Sequence, residues 1–177
     1  DDTKTYVETD PFGTDLLSEI TREWEAAADR FAEKCPVTKI RISVVISGKG
    51  GAIPTIAKPI RMGFGAILGS GTQAVPWIHI HDLIRVFDWT LTNNLSGVYH
   101  ANAGNTDNAT LTRAIAKALG KKLWLPKAPA FIMKLVLGSL SVMVLKGLKT
   151  SNAKLVKTGF AFEYEELEGA VKEVFSK

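Results

Sequence analysis

The segment from Leu68 to Leu83, LGSGTQAVPWIHIHDL, decides the fold of this chain. Glycine and serine dominate its first part, and β-branched and aromatic residues follow at 77–80, which predicts a loop that leads into a short strand. A helical pattern then begins at about residue 83, directly after Asp82, and Asp is favoured at helix N-caps because its carboxylate accepts backbone N–H groups. The segment therefore predicts a loop, a strand at 77–80 and a helix over 83–92, with polar side chains gathered where a ligand could enter.

Upstream of this segment, the sequence predicts an alternation of helix and strand. From Asp15 to about Lys34, apolar residues recur at three- and four-residue spacing, as in an amphipathic helix. The stretch 39–47, KIRISVVIS, is β-branched and almost wholly apolar at its centre, which predicts a strand covered on both faces, as in a parallel sheet. A glycine-rich loop at 48–51 and a short helix over 54–62 follow.

Downstream, the same alternation continues and then becomes mostly helical. A strand over 98–102 precedes a helix that starts near Asp107 and ends at Gly120, a residue type common just after helix ends. Further elements are an extended stretch at 124–129, an apolar helix at 130–148, a short helix at 152–157, a strand at 161–164 and a last helix from Leu167. Alternating strands and helices of this kind are typical of α/β folds with a parallel sheet.

Composition limits the classes of function. The chain has 177 residues, 46% of them hydrophobic and 23% charged, with a net charge of +4. Its lysines are scattered and are not interleaved with aromatic residues, which argues against nucleic-acid binding and favours a modest attraction for anionic ligands such as nucleotides. The single cysteine, Cys35, excludes an internal disulfide. Lys134 and Lys146 interrupt the longest apolar run, so we expect a buried helix, no membrane span and a cytoplasmic location.

Several separate motifs carry a resemblance to one family. They are Trp24-Glu25, the strand and loop RISVVISGKGG at 41–51, the WIHIHD stretch at 77–82, GVYHANA at 97–103 and GFAF at 159–162. In this order they resemble motifs of atypical extended short-chain dehydrogenases/reductases of the NAD-dependent epimerase/dehydratase family. The branch concerned is the nucleoside-diphosphate-sugar epimerase branch, also called cell-division-inhibitor-like, which carries a DUF1731-like helical tail.

The resemblance implies an α/β fold: the C-terminal part of a Rossmann-like doubly wound parallel sheet plus a smaller, mostly helical substrate-side subdomain. Residues 1–125 would form the remaining Rossmann-like part with its substrate loops, and residues 126–177 the helical subdomain. NADP or NAD would be bound mainly by residues of a missing N-terminal half. A nucleotide-sugar-like small molecule is the implied substrate, and a homodimer is a possible assembly.

Two departures from the family pattern keep catalysis open. The glycines at 48–51 and 69–71 lack the spacing of a dinucleotide phosphate loop, and we interpret them as substrate-loop turns with no convincing helix start after them. Short-chain dehydrogenases use a Tyr and a Lys four residues later, but the corresponding positions fall near Leu17 and Thr21, and neither can transfer the proton. The catalytic residue is unknown, and a non-catalytic NADP(H)-binding regulator or a protein-interaction domain remains an alternative.

Candidate binding residues lie mainly at the ends of the predicted strands, where ligands of α/β sheets bind. We predict cofactor contacts from Ser43, Val44 and Ser47. We predict substrate contacts from Arg41, Arg61, Gln73, Trp77, His79, Asp82 and Asn102. The histidines and the one cysteine have no metal-ligand spacing, so we predict no metal.

Several of these residues also have a purely structural interpretation. A guanidinium inside an apolar strand is costly unless it is paired, so Arg41 is expected either to emerge at a strand end or to meet a carboxylate such as that of Glu25. Trp77 could be a core anchor, and Asn102 could belong to a turn. For Asp82, the sequence favours a helix cap over a ligand contact.

Overall fold

Helices and strands alternate along the chain in a computed structural model that describes residues 4–125 and 147–176. The helices are α1 (Leu16–Asp29), α2 (Ala52–Arg61), α3 (Ile80–Thr92), α4 (Asn108–Ala118), α5 (Ala153–Val156) and α6 (Leu167–Phe175). The strands are β1 (Thr5–Tyr6), β2 (Thr38–Ile42), β3 (Val44–Ile46), β4 (Ala74–His79), β5 (Gly97–Ala101), β6 (Gly104–Asp107) and β7 (Lys149–Thr150). The helices predicted near these positions are confirmed, with bounds that differ by a few residues.

The predicted strand over 39–47 is in fact two strands with different partners. β2 pairs in parallel with β5, whereas β3 pairs in parallel with β4. Ser43 lies between β2 and β3, and its backbone N–H makes the last link to β5, to the carbonyl of Ala101 at 3.2 Å. β4 also pairs with β6 in antiparallel fashion, and β1 pairs in parallel with β7. The sequence predicted that this strand is covered on both faces. In the structure only Ile46 of this stretch is buried, and the other residues are half-buried or exposed.

Two apolar clusters lie on opposite faces of these strands. One joins β3 and β4 to α2, α4 and α6, with Ile46, Ile53, Trp77 and Ile115 among its buried members. The other joins β4 and β5 to α3 and α5 and includes Ile78. Because successive strand residues point to opposite faces, Trp77 enters the first cluster and Ile78 the second. The strands therefore carry helices on both faces, which is the layering of α/β Rossmann-like folds.

α1 is attached to β2 by charged side chains. None of its residues is buried. Lys39 on β2 contacts Asp29 at 2.7 Å, and Arg41 contacts Glu25 at 2.7 Å. The apolar residues that gave the helix its periodicity point away from the sheet, and Trp24 is 72% exposed.

The C-terminal part follows the predictions incompletely. The strand predicted at 161–164 is wrong, because these residues have no regular structure and the backbone N–H groups of Glu163 and Tyr164 bind Asp82. Most of the apolar helix predicted at 130–148 lies outside the described residues. The division at 125/126 stays a prediction, and α6 shares a core cluster with α2 and α4.

Candidate functional site

The strands separate at one point, and four of the predicted site residues meet there. Val44 pairs with Trp77 in the β3–β4 register. The backbone N–H of Ser43 donates to Ala101, the neighbour of Asn102, and Ala103 N–H donates to the carbonyl of Trp77 at 2.8 Å. β5 thus leaves β2 at the residue where β4 begins to pair with β3. We call this place the sheet split; in open α/β sheets, ligands bind where neighbouring strands diverge at their carboxyl ends.

Asn102 contributes a buried acceptor at the sheet split. The residue is 1% exposed. Its Nδ2 donates to the carbonyl oxygen of Thr150 at 2.7 Å and lies 2.9 Å from Thr150 Oγ1. Its Oδ1 has no hydrogen-bond partner among the described residues. Because buried polar atoms are nearly always bonded, this oxygen is expected to accept from a donor that the described residues do not supply.

A group of charged residues covers the carboxyl ends of β2 and β5. Glu8 accepts the backbone N–H of His100 at 3.0 Å, and His100 Nδ1 lies 3.2 Å from the carbonyl oxygen of Ser151. Burial lowers the pKa of His100, while the nearby Glu8 carboxylate acts in the opposite direction. His100 is therefore favoured in its neutral form in the fold.

Arg41 has the carboxylate partner expected from the sequence. Its Nε and Nη2 donate to the two carboxylate oxygens of Glu25 at 2.7 and 3.0 Å. Its Nη1 donates to the carbonyl of Glu8 at 3.3 Å, and its guanidinium lies 4.7 Å from the ring centroid of Phe12. This guanidinium is engaged on the face of β2 that meets α1, and its substrate role stays a prediction.

His79 lies at the carboxyl end of β4 and is 2% exposed. Its Nδ1 accepts the backbone N–H of His81 at 3.3 Å, which leaves the proton of the neutral ring on Nε2. Nε2 lies 3.3 Å from a carboxylate oxygen of Glu173, although the two are not aligned as a hydrogen bond. The ring also packs on Tyr164, with 3.8 Å between centroids. Burial lowers the pKa of His79, and Glu173 opposes that shift.

The prediction that Asp82 caps α3 is wrong. The N-cap is His79, and Asp82 lies within the first turn, fully buried. Its carboxylate accepts the backbone N–H groups of Glu163 at 3.0 Å and Tyr164 at 2.9 Å, and the Nη1 of Arg85 at 2.7 Å. Asp82 therefore binds a segment of backbone that lies 81 residues further along the chain.

The glycine loop at 48–51 does lead into a helix, contrary to our interpretation of the sequence. α2 begins at Ala52, and its N-cap Gly51 has a φ of 81°, which favours glycine. Ser47 Oγ accepts the backbone N–H of Lys49 at 3.3 Å within this loop. The loop thus follows β3 and precedes α2, but it lacks the glycine spacing of a dinucleotide phosphate loop.

Trp77 takes part in the sheet split through its backbone only, and Arg61 and Gln73 lie apart from it. Trp77 is 2% exposed, and its side chain is part of the core. Arg61 is exposed, and its guanidinium lies 5.4 Å from the ring centroid of Phe175. Gln73 precedes β4 at the end of the strand opposite to His79; its Oε1 is buried without a partner among the described residues.

No tyrosine of the described residues has a lysine at the spacing that dehydrogenases use on a helix. Leu17 is 56% exposed on α1, and Thr21 Oγ1 donates to the carbonyl of Leu17. Lys154 lies 4.6 Å from the ring centroid of Tyr99 but donates to the carbonyl of Val98. Within residues 4–125 and 147–176, no group of His, Cys, Asp and Glu side chains could hold a metal ion.

Sequence reasoning missed the residues that bind these side chains from a distance. Glu8, Glu163, Tyr164 and Glu173 take part in the contacts of His100, Asp82 and His79. The separations along the chain reach 92 residues. Periodicity and spacing report local structure only, so no signal in the sequence could have linked these positions.

Comparison with known proteins places this geometry in a family. Residues 128–174 match a domain of unknown function, DUF1731. The mouse epimerase family protein SDR39U1 is 36% identical over 176 residues, which cover 97% of this chain and 60% of the mouse protein. The crystal structure of the human epimerase family protein SDR39U1, isoform 2, with NADPH has a TM-score of 0.87 at 32% identity and covers 99% of this chain and 60% of that one.

A nucleoside-diphosphate sugar epimerase from Corynebacterium glutamicum has the same fold, with a TM-score of 0.77 at 24% identity over 99% of this chain and 34% of that one. The fold class is therefore α/β and Rossmann-like. These comparisons support an epimerase-family protein of the extended short-chain dehydrogenase/reductase type with a DUF1731 tail. The chain spans about 60% of the length of the mouse and human relatives. Among the described residues, no helix is long and apolar enough to cross a membrane.

Proposed function

We propose that this chain is the substrate-side portion of an NAD(P)-dependent nucleoside-diphosphate-sugar epimerase or dehydratase. In this proposal, a nicotinamide cofactor contacts Ser43, Val44 and Ser47, and the sugar nucleotide lies across the sheet split. The observation that carries the proposal is the split itself. Beside the two strands that separate there, Asn102 has a buried oxygen without a partner among residues 4–125 and 147–176. The human relative, solved with NADPH, supports the choice of cofactor.

The edge of β2 that faces away from β5 supports the proposal of a missing half. Val37 O accepts from Gly97 N–H and Ser43 N–H donates to Ala101, so both groups face β5. By the alternation of a strand, the backbone groups of Thr38, Ile40 and Ile42 point the other way, where no described strand pairs with them.

The outer edge of β5, by contrast, is closed by side chains. His100 N–H donates to Glu8, and the carbonyl of Val98 accepts from Lys154 at 2.8 Å. Of the two outer edges of the β2–β5 pair, the edge of β2 is therefore the one that is open to a further strand among the described residues. We infer that the rest of the family fold pairs there and brings the phosphate-binding loop of the cofactor.

A non-catalytic NADP(H)-binding regulator of the same fold is the second candidate. Leu17 and Thr21 at the positions of the catalytic pair favour it, because neither side chain can take a proton from a hydroxyl group. A protein-interaction domain is the third candidate, and the exposed apolar residues of α1 favour it. The cytoplasmic location and the homodimer stay predictions.

Turnover separates the enzyme from the regulator. The chain would be produced together with the part of human SDR39U1 that it does not match, and the complex assayed with NADP⁺ or NAD⁺ and a panel of UDP- and dTDP-sugars. Epimerised product supports the enzyme. NADPH binding without any product supports the regulator. A folded complex that neither binds NADPH nor forms product contradicts both the enzyme and the regulator.

Asn102→Ala and Asn105→Ala form a matched pair for the site. Both residues hold Thr150, since Asn105 Nδ2 donates to the carbonyl of Thr150 at 2.9 Å. Of the two, Asn102 has a buried oxygen that lacks a partner in the part of the chain that the structure describes. We expect Asn102→Ala to weaken ligand binding or turnover at least about tenfold more than Asn105→Ala, because it alone removes an acceptor for the ligand. If both variants weaken ligand binding or turnover equally, the role of Asn102 is limited to its hydrogen bonds with Thr150.

A further inference from the structure

The C-terminal segment over 158–176 is attached to the carboxyl ends of β3 and β4. Asp82 accepts the backbone N–H groups of Glu163 and Tyr164, so this segment is bound through its backbone. The ring of Tyr164 packs on His79, and Glu173 of α6 lies 3.3 Å from His79 Nε2. These contacts hold α6 at the edge of the sheet where ligands of α/β folds bind.

α6 is also in close contact with the loop that follows β3. A Cβ built on Gly48 would lie 3.1 Å from Val174 Cγ1 and 3.2 Å from the carbonyl oxygen of Val174. At the other end of α2, Arg61 lies over the ring of Phe175. α6 therefore contacts both the start of the loop over 47–51 and the end of the helix into which that loop leads.

We propose that the C-terminal segment positions the loop over 47–51 for ligand binding, with Asp82 and His79 as positioning residues that act through α6. The proposal rests on the proposed function, because Ser47, the first residue of that loop, is one of the residues assigned to the cofactor. In this proposal, Asp82 and His79 of the WIHIHD stretch hold the C-terminal segment in place and do not touch the ligand. Release of the tail would lower the fraction of chains whose loop is competent to bind, and the apparent affinity falls with that fraction.

Asp82→Asn tests the attachment. The amide places an N–H₂ group where the carboxylate now faces two backbone N–H donors and Arg85, so at least one contact becomes repulsive. In the ligand-free 177-residue chain, we expect hydrogen exchange at 163–176 to rise about tenfold or more, and exchange at 48–51 to rise with it. Asp88→Asn, an exposed position on the same helix, is the matched control and should change neither region.

Amide resonances of Gly48, Gly50 and Gly51 supply a second readout, because the hydrogen bonds of Asp82 go to Arg85, Glu163 and Tyr164 and not to these glycines. Their resonances should shift or broaden in Asp82→Asn and stay unchanged in Asp88→Asn. Unchanged exchange at 163–176 in Asp82→Asn contradicts the anchoring role of Asp82. Faster hydrogen exchange at 163–176 without any change in the loop over 47–51 contradicts the proposal that the C-terminal segment positions this loop.

Gly48→Ala tests the same coupling from the loop side. The added methyl group meets Val174, so we expect faster exchange in α6. Val174→Ala in the Gly48→Ala background removes the contact with Cγ1 but leaves the carbonyl oxygen, so it should restore part of the protection. An unaffected α6 in Gly48→Ala, or no rescue by Val174→Ala, would overturn the proposal.

Ligand binding distinguishes failure of this proposal from failure of the proposed function. In the complex with the complementary part of human SDR39U1, Asp82→Asn should weaken NADPH binding about tenfold, in line with the loss of loop-competent chains. Equal NADPH affinity in wild type and Asp82→Asn contradicts the positioning role. A wild-type complex that does not bind NADPH, with the loop still coupled to the tail by exchange, contradicts the proposed function and supports the coupling.

Discussion

At the residue scale, single charged side chains join segments that lie far apart in the sequence. The Arg41–Glu25 pair links β2 to α1, and its side chains are only 23% and 14% exposed. The sequence predicted this pair as one of two outcomes, because an arginine in an apolar strand must either reach the strand end or meet a carboxylate such as that of Glu25. The partners of Asp82 could not be predicted, since the backbone N–H groups of a distant, irregular segment have no distinguishing residue type. The side chains that contact His79 from Tyr164 and Glu173 lie too far along the chain for a local pattern to link them to it.

Removal of the Glu25 charge should destabilise the chain. Glu25→Gln loses the two-pronged contact with Arg41 and leaves a half-buried guanidinium without its anion, so we expect the free energy of unfolding to fall by about 1–3 kcal/mol. Urea denaturation measures the change. Glu23→Gln, at an exposed position on the same helix, is the control and should stay within about 0.5 kcal/mol of the unchanged chain. Equal losses in the two variants would contradict a structural role for the pair.

The two buried histidines should make stability depend on pH. In the fold, burial lowers the pKa of both His79 and His100 below the ordinary value of 6.5. Below pH 6.5 the unfolded chain therefore binds more protons than the folded chain, so the free energy of unfolding should decrease as the pH falls from 6.5 until the folded-state pKa values are passed.

Urea denaturation between pH 7.5 and about 5 would measure this dependence. His79→Gln and His100→Gln should each flatten the curve, because each removes one group with a lowered pKa. A free energy of unfolding that rises as the pH falls through 6.5 would show that the folded state favours the charged imidazoles.

At the element scale, periodicity predicted where helices form but not which face they bury. α1 has the three- and four-residue apolar spacing of a helix that packs on a core, yet it contacts the sheet through Glu25 and Asp29. The apolar residues point outward because that side has no partner among the described residues. Likewise, nothing in the unbroken β-branched run over 39–47 indicated that its two halves pair with different strands, since pairing is decided by distant segments.

The outward face of α1 should be dispensable for folding of the chain alone. Leu17→Ser and Trp24→Ser alter side chains that are 56% and 72% exposed, so each should change the free energy of unfolding by no more than about 0.5 kcal/mol. Ile78→Ala in the core, where the side chain is fully buried, should cost about 2–5 kcal/mol and serves as the contrast.

Sedimentation of the same variants tests what the outward face of α1 binds. If a second copy covers it, Leu17→Ser and Trp24→Ser should make a dimer monomeric. If the complementary half covers it, the variants should weaken that complex instead. A loss of stability comparable to that of Ile78→Ala would show that the face is already buried within this chain.

At the scale of the whole molecule, the family and the α/β fold class were predictable from separate motifs in a fixed order. The motifs mark turns, strand ends and helix starts, which are local features of the backbone and therefore visible in the sequence. The candidate site was predictable only in part: Ser43, Val44, Trp77 and Asn102 meet at the sheet split, whereas Gln73 and Arg61 lie away from it. Which residues become neighbours at the sheet split depends on how the strands pair, and sequence patterns do not indicate strand pairing.

We propose that this chain carries the substrate side of a cofactor-dependent fold and that the rest of the fold completes it along β2. The most direct test is a fluorescence titration of NADPH against the 177-residue chain alone, with circular dichroism to verify that it is folded, and then against the chain with the complementary part of human SDR39U1. We predict no saturable binding by the folded chain alone, with a Kd above about 1 mM, and saturable binding by the complex. Tight binding of NADPH by the chain alone would contradict the account, because the cofactor phosphates would then be bound by this chain itself.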